Sequence, residues 1–235
     1  MGKPKRSSVQ RYHDRVAGAY DDSYDDAYWQ WHDTLTWDHL RTFLPTDLSA
    51  EVIDLGCGTG KWGLKLLKSG FRVTFADISA KMVDAARAGA AEMGLQARAD
   101  FLHADVCDLS ALASERFTLA TAFGEPLGCA SSPPAAMREA RRILKPGGVL
   151  VATLDNRWAC IDFYMQRGDL DELERFLDHG RTHWLTRRSE EQFPIVTYGP
   201  AELERLLRQS GFELVDLIGK TVLPMRHYRE LLEDR

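Results

Sequence analysis

The sequence has no Cys-x-x-Cys pair: its four cysteines, Cys57, Cys107, Cys129 and Cys160, stand far apart. That argues against a zinc ribbon or a disulfide scaffold, and free thiols of this kind point to a reducing, cytoplasmic setting. No apolar run approaches the ~18 residues that a membrane-crossing helix needs. The opening stretch MGKPKRSSVQRYHDR is basic but lacks the apolar core of a secretory signal. Positive charge is not in excess either, since 30 Lys+Arg against 35 Asp+Glu give a net charge of −5. A mildly acidic chain is poorly suited to clamping a phosphate backbone, so the expected partner is a small molecule rather than nucleic acid or a membrane. Internal repeats and low-complexity tracts are also missing. What is there is an ordinary globular composition, 44% hydrophobic and 28% charged over 235 residues, enough for one large domain with an appendage.

Through the middle of the chain, short apolar runs alternate with amphipathic stretches. Residues 51–56 (EVIDLG), 71–78 (FRVTFADI), 97–105 (ARADFLHAD), 116–124 (RFTLATAFG) and 149–156 (VLVATLDN) have the length and content of buried strands. Between them, 61–70 spaces Leu64, Leu66 and Leu67 as a helix does and stops at Gly70. Ser79 is placed to cap a helix over 80–94, and a helix over 135–144 runs into the Pro146-Gly147-Gly148 turn. Strands alternating with helices predict βαβ units and a Rossmann-like, doubly wound α/β fold. With a helix after Pro200 and a late strand at 212–220, the mainly parallel sheet is expected to hold about seven strands.

Two segments break this rhythm. Residues 1–45 are expected to form an N-terminal helical and aromatic lid carrying Tyr12, Tyr20, Tyr24, Tyr28, Trp29, Trp31 and Trp37. Residues 46–235 make up the Rossmann-like domain, interrupted after its fifth strand by a polar, substrate-side insertion at 157–198 with one helical stretch at 169–180. Ligands of open α/β sheets bind beyond the carboxyl ends of the strands, and both segments can wall that rim.

The strongest chemical signal is Asp54-Leu55-Gly56-Cys57-Gly58-Thr59-Gly60, where the first strand ends. Alternate glycines permit a tight turn and let a ligand lie against the backbone. Gly58, Gly60 and Gly63 also satisfy G-x-G-x-x-G, with Asp77 nineteen residues after Gly58, which is the fingerprint of a dinucleotide site. An NAD(P)-dependent oxidoreductase is therefore one reading. Electrostatics favours another, because a pyrophosphate at this loop would be repelled by an Asp54 carboxylate while the ammonium and sulfonium of S-adenosylmethionine would be attracted. Asp77 closes the second strand, placed for ribose hydroxyls. Asp105 follows the third, placed for the exocyclic amine of adenine with the Val106 amide on its ring, while Ile78 and Met82 offer apolar faces for the base.

Residues 51–155 resemble the class I S-adenosylmethionine-dependent methyltransferases of small-molecule type. VIDLGCGTG is similar to their first motif, FADIS to the second and HADV to the third. FTLATAFGEPLG and KPGGVLVATLD are similar to the fourth strand and the turn before the fifth. YHDRVAGAYDD (12–22) resembles the upstream Y-D-x-x-A-x-x-Y-D segment, with His13 where Asp is common. The resemblance implies that Gly56, Cys57, Gly58 and Gly60 line the methionine moiety near Asp54, that Asp77 holds the ribose, and that Asp105 and Val106 hold the adenine. It further implies that the carbonyls of Phe123 and Gly124 meet the ammonium and that Tyr12 and Tyr20 fold over the methionine end. The implied function is in-line methyl transfer to a small-molecule acceptor, at oxygen first and then nitrogen or sulfur, without a metal and with S-adenosylhomocysteine as product. A non-catalytic S-adenosylmethionine-binding module carries the same signature and stays open.

On the acceptor side, Glu125 just past the fourth strand, His32 in the lid and His179 in the insertion are candidate catalytic bases for a hydroxyl of high pKa. Tyr24, Tyr28, Asn156, Arg157 and His183 are candidate acceptor contacts. Arg181, Arg187 and Arg188 make the insertion basic enough to suit a carboxylated or phosphorylated acceptor. Gly-Glu-Pro-Leu follows the fourth strand in place of Asn/Asp-Pro-Pro-Tyr, which argues against methylation of an adenine amine or a glutamine amide.

Overall fold

A computed structural model of the chain describes residues 6–184, 189 and 192–220. Strands β1 (Glu51–Leu55), β2 (Arg72–Asp77), β3 (Ala99–His103), β4 (Phe117–Ala122) and β5 (Leu144–Ala152) form one parallel sheet in the order β3-β2-β1-β4-β5. The chain walks outward from β1 to β3 and then crosses back to β4. This reversal opens a crevice past the C-terminal ends of β1 and β4, where α/β sheets place their ligands.

Two helices precede the sheet, α1 (Ser8–Val16) and α2 (Ala27–Leu40), joined by short 3-10 turns. Each starts on a side-chain cap: Ser7 accepts from the Gln10 amide at 3.1 Å and Asp26 from the Trp29 amide at 3.0 Å. Within the sheet run α3 (Lys61–Lys68), α4 (Ala80–Glu92) and α5 (Pro133–Ile143). After it come α6 (Arg157–Arg167), α7 (Leu170–His179), a ribbon of β6 (Arg181–His183) with β7 (Pro194–Val196), and α8 (Pro200–Gln209). Alternate strand residues divide the core. Val52, Val73, Phe75 and Leu119 pack with Trp62, Leu66 and Leu67 of α3 and with Ala86 and Ala90 of α4. Ile53, Leu55, Ala76, Ala120 and Ala122 face the other way, onto Met137 and Ala140 of α5 and Leu206 of α8. This is the period of two expected of strands covered on both faces. No described helix is long and apolar enough to cross a membrane.

Three expectations need correction. The main sheet holds five strands among the described residues, not seven; β6 and β7 pair antiparallel in a separate ribbon. Residues 212–219 form no strand, and Val215, Leu217 and Ile218 are exposed. Their alternation states which faces a strand would show, but pairing needs an edge in register, which sequence periodicity does not supply. Finally, β5 begins at Leu144, paired with Phe117. Residues 145–148 then bulge out, with Gly147 left-handed, and pairing resumes at Leu119 with Val149. The strand ends at Ala152, and Asn156 instead caps the unforeseen helix α6 by accepting from the Trp158 amide at 2.9 Å.

Candidate functional site

Gly56, Gly58 and Gly60 all adopt left-handed φ values, +64, +54 and +98°, yet they serve different ends. A Cβ on Gly56 would stand 2.4 Å from Cβ of Pro126, and one on Gly60 would stand 3.0 Å from Cβ of Ala86. Only at Gly58 is there nothing within 4 Å. Packing therefore demands the outer two glycines, and the middle one opens on free space beyond the strand end. Gly63 is a packing glycine as well, since its Cβ would meet the Phe75 ring at 2.2 Å. That role belongs equally to the dinucleotide pattern, so glycine spacing alone does not separate the two cofactors.

The acids behave less uniformly than their matching positions suggest. Asp54 does not face the loop. Its Oδ2 accepts from the Gly63 amide at 2.9 Å and its Oδ1 from the Thr121 hydroxyl at 2.6 Å, and burial pushes its pKa up to about 7. Through these two bonds Asp54 ties α3 to β1 and β4. Asp77 does stand at the rim, where its Oδ2 accepts from the Gly58 amide at 2.9 Å and its Oδ1 from the Ser79 amide at 2.8 Å. Burial raises its pKa, opposed by those two amides and by the nearby His13 and His103. Asp105 is half-buried in the turn after β3 and accepts from the Cys107 amide at 2.8 Å. Val106 and Cys57 are buried, and Ile78 is half-buried with its carbonyl on the His103 ring at 2.9 Å. Met82 is completely buried, so its side chain presents no surface to a base. The Phe123 side chain packs on Trp62 with centroids 5.0 Å apart, while Gly124 is exposed with φ +80°.

The N-terminal segment, joined to the rim by Asp14 on Ser79 and Asp21 on Thr59, carries a nearly continuous file of rings. His13 joins Tyr12 to Tyr20 (5.0 and 6.0 Å), and Tyr20 meets Tyr24 (4.9 Å). Tyr24 meets Trp29 (4.9 Å), which in turn meets Tyr28 and His32 (5.1 and 5.2 Å). Tyr12 and His13 also touch Phe193 of the insertion, at 5.2 and 5.8 Å. Burial and then Tyr24 push the Tyr20 hydroxyl well above its ordinary pKa, with Tyr12 and the Glu125 carboxylate adding to the shift. Glu125 itself has φ +60°, a conformation non-glycine residues adopt at a cost, immediately past β4. Lys220 shares this neighbourhood: its Nζ donates to the Thr36 hydroxyl at 3.0 Å, and burial lowers its pKa against the pull of Glu125 and Asp33. His32 has Nδ1 buried and 3.8 Å from Asp33, beyond hydrogen-bonding reach.

The candidate acceptor contacts after β5, unlike Phe193, do not join this group. Arg157 is a buried clamp, paired with Glu202 at 2.6 Å and donating to the Thr197 carbonyl at 3.4 Å, so it ties α6 to α8 rather than meeting an acceptor. Asn156 is spent as the α6 cap, and its backbone pairs with Tyr198. His179 is exposed at the end of α7, its Nδ1 accepting from the Arg181 amide at 3.0 Å, and His183 is exposed on β6. Arg181 is likewise exposed; Arg187 and Arg188 lie outside the described residues.

Sequence reasoning also missed three acids of the N-terminal segment. Asp14 accepts from Ser79 Oγ at 2.6 Å, Asp21 accepts from Thr59 Oγ1 at 2.8 Å, and Asp33 pairs with Lys61 Nζ at 2.5 Å. Asp14 and Asp21 stand in the YHDRVAGAYDD stretch already singled out, but nothing local says that they reach residues 38 to 65 positions away.

Comparison with known proteins fits this geometry. Residues 52–148 match a family model described as a methyltransferase domain. The chain is 31% identical over 182 residues to a ubiquinone biosynthesis O-methyltransferase of Xanthomonas axonopodis pv. citri, covering 77% of this chain and 70% of the relative. It is 24% identical over 177 residues to the tRNA 5-carboxymethoxyuridine methyltransferase of Escherichia coli, covering 75% and 64% of the two chains. The solved structure of the CcbJ methyltransferase from Streptomyces caelestis shares the fold, with a TM-score of 0.64 at 21% identity over 90% of each chain. With the methyltransferase-domain match over 52–148 and 31% identity across most of both this chain and an O-methyltransferase, the protein belongs to the class I S-adenosylmethionine-dependent methyltransferases.

Proposed function

We propose that the protein methylates a small-molecule acceptor, at a hydroxyl oxygen before nitrogen or sulfur, beneath a lid formed by residues 1–45 and beside a substrate-side insertion at 157–198. The observation that carries the reading is the file of rings from Tyr12 to Trp29, in a segment that meets the cofactor-side turns at Thr59 and Ser79 and the insertion at Phe193. A rim walled in this way suits a compact acceptor. The net charge of −5 and the O-methyltransferases of ubiquinone biosynthesis among the relatives support the same reading.

The residues fit the cofactor. Gly58 leaves room where any other residue would put a Cβ, and the Asp77 carboxylate stands at its amide, placed for the ribose. In this reading Asp105 and Val106 take the adenine, Gly124 takes the ammonium, and Tyr12 and Tyr20 cover the methionine end. When bound, S-adenosylmethionine supplies a methyl group already activated on a sulfonium. The chain's own task is then to align the acceptor and exclude water, and alignment alone is worth up to ~7–11 kcal/mol in the best intramolecular cases. Glu125 is the favoured base for an acceptor hydroxyl because it stands at the end of β4, near Tyr20 and Lys220. Four free cysteines fit a reducing cytoplasm.

A nucleic-acid acceptor is the second reading. It is favoured by the tRNA methyltransferase among the relatives and by a cavity of about 300 Å³ lined by Ser8, Arg11, Tyr12, Arg15, Ser189 and Gln192, where Arg11 and Arg15 suit a phosphate. Incubating the purified protein with methyl-labelled cofactor, a panel of phenols and hydroxy acids, and bulk undermodified tRNA decides between them. Label in a small molecule supports the first reading, and label confined to RNA overturns it.

A further inference from the structure

We propose that Asp14 and Asp21 are positioning residues that lock the N-terminal segment onto the two cofactor-bearing turns, so that the segment opens only when these contacts are released. The inference rests on the reading of that segment as a lid. Asp14 ends on Ser79, Asp21 on Thr59 and, further along, Asp33 on Lys61 at the start of α3. Thr59 stands between Gly58 and Gly60, and the Ser79 amide donates to Asp77, which also accepts from Gly58. The first two contacts therefore close on the hydrogen-bonded unit Gly58–Asp77–Ser79 itself rather than on an outer helix face.

No residue of α1 is fully buried, and its Val9, Tyr12 and Val16 are only half-buried, so apolar burial holds it less firmly than it holds the sheet. Directional contacts therefore carry a larger share of its docking, and a carboxylate accepting from a hydroxyl makes one of the stronger kinds. Asp14 is the better shielded of the pair, its side chain 13% exposed, with Arg6 Nη1 on its second oxygen at 3.0 Å. Asp21 is exposed and therefore weaker.

The test is stopped-flow dissociation of S-adenosylhomocysteine from the full-length protein, followed by tryptophan fluorescence, with thermal unfolding in parallel. Asp14→Ala is expected to raise the dissociation rate roughly tenfold and Asp21→Ala roughly threefold, as for a lost charge-assisted hydrogen bond at a shielded and an exposed site. The main unfolding midpoint should stay unchanged, because the segment opens locally. Asp14→Asn keeps an acceptor oxygen and should restore most of the wild-type rate, also covering the case in which Asp14→Ala does not fold. In a double-mutant cycle, Asp21→Ala with Thr59→Val should release ligand no faster than the faster single variant. Multiplying effects in that cycle, or wild-type rates in both alanine variants, overturn the proposal. Tyr20→Ala separates the two ideas. If it speeds release while the aspartate variants do not, the lid stands without these locks; if all three release at the wild-type rate, the lid reading fails as well.

Discussion

Strands β1, β2 and β4 are sealed on both faces by residues such as Val52, Ile53, Leu55, Val73, Phe75 and Leu119, all inaccessible to solvent. Helix α1 buries no residue and meets the rim through Asp14, while the segment beyond it does so through Asp21 and Asp33. Apolar burial is non-directional and spread over many atoms, so it is lost gradually. A hydrogen bond to a carboxylate is made or broken within a fraction of an ångström. The sheet is thus built to hold Gly58 and Asp77 in fixed relation, and the N-terminal segment is built to be fastened and released.

Perturbations of the sheet should therefore cost global stability, and perturbations of the rim should cost ligand affinity. The largest expected effect concerns Asp54. Its pKa of about 7 in the folded chain lies above the ordinary carboxylate value, so between about pH 4 and 7 the folded state holds a proton that the unfolded state has lost. Its contribution to stability is greatest in acid and declines as pH rises through that window, by about 4 kcal/mol in all. Asp54→Asn removes the titration, and the difference between wild-type and variant stability in urea should change by that amount from pH 4 to pH 8. A difference independent of pH would mean that Asp54 is not sealed as described. Next, Gly63→Ala puts a Cβ 2.2 Å from Phe75 and should cost about 3 kcal/mol of unfolding free energy by overpacking. A wild-type midpoint in denaturant would show the helix–strand contact to be as yielding as a surface segment.

At the junction of the two regions, Asp77→Ala should weaken S-adenosylmethionine binding by about 1–3 kcal/mol in calorimetry, the loss of a charged hydrogen-bonding partner. Unchanged affinity would remove Asp77 from the ribose site. The smallest effect belongs to the insertion: His179→Ala should change stability by no more than about 0.5 kcal/mol and leave turnover unaltered, because the ring is exposed and its Nδ1 accepts from the Arg181 amide just two residues on. A large loss of turnover would bring the insertion back as a source of catalytic groups.

Much of the framework was legible before any coordinates. The first four strands of the sheet and α3, α4, α5 and α8 fall where apolar spacing and stops such as Gly70 place them, because period and punctuation are local properties. Strand β5, by contrast, starts ahead of the Pro146 turn expected to precede it. The candidate site was legible only in part. Gly58 and Asp77 meet as their motif positions suggest, but Asp54, in an equally suggestive position, turns inward. Which way a strand-end carboxylate points depends on the donors its neighbours offer. Thr121 and Gly63 reach Asp54 only once β4 and α3 have packed against β1.

The sequence by itself determined the βαβ order, the open glycine turn and the family to which the chain belongs, since each is written in contiguous residues. Tertiary structure alone decided the rest: that Arg157 clamps Glu202, that residues 212–219 find no strand partner, and that Asp14 and Asp21 close on Ser79 and Thr59. The physical reason is the same in each case. A hydrogen bond or ion pair between residues tens of positions apart leaves no periodic trace in the chain, because its geometry exists only after the apolar layers have brought the two ends together.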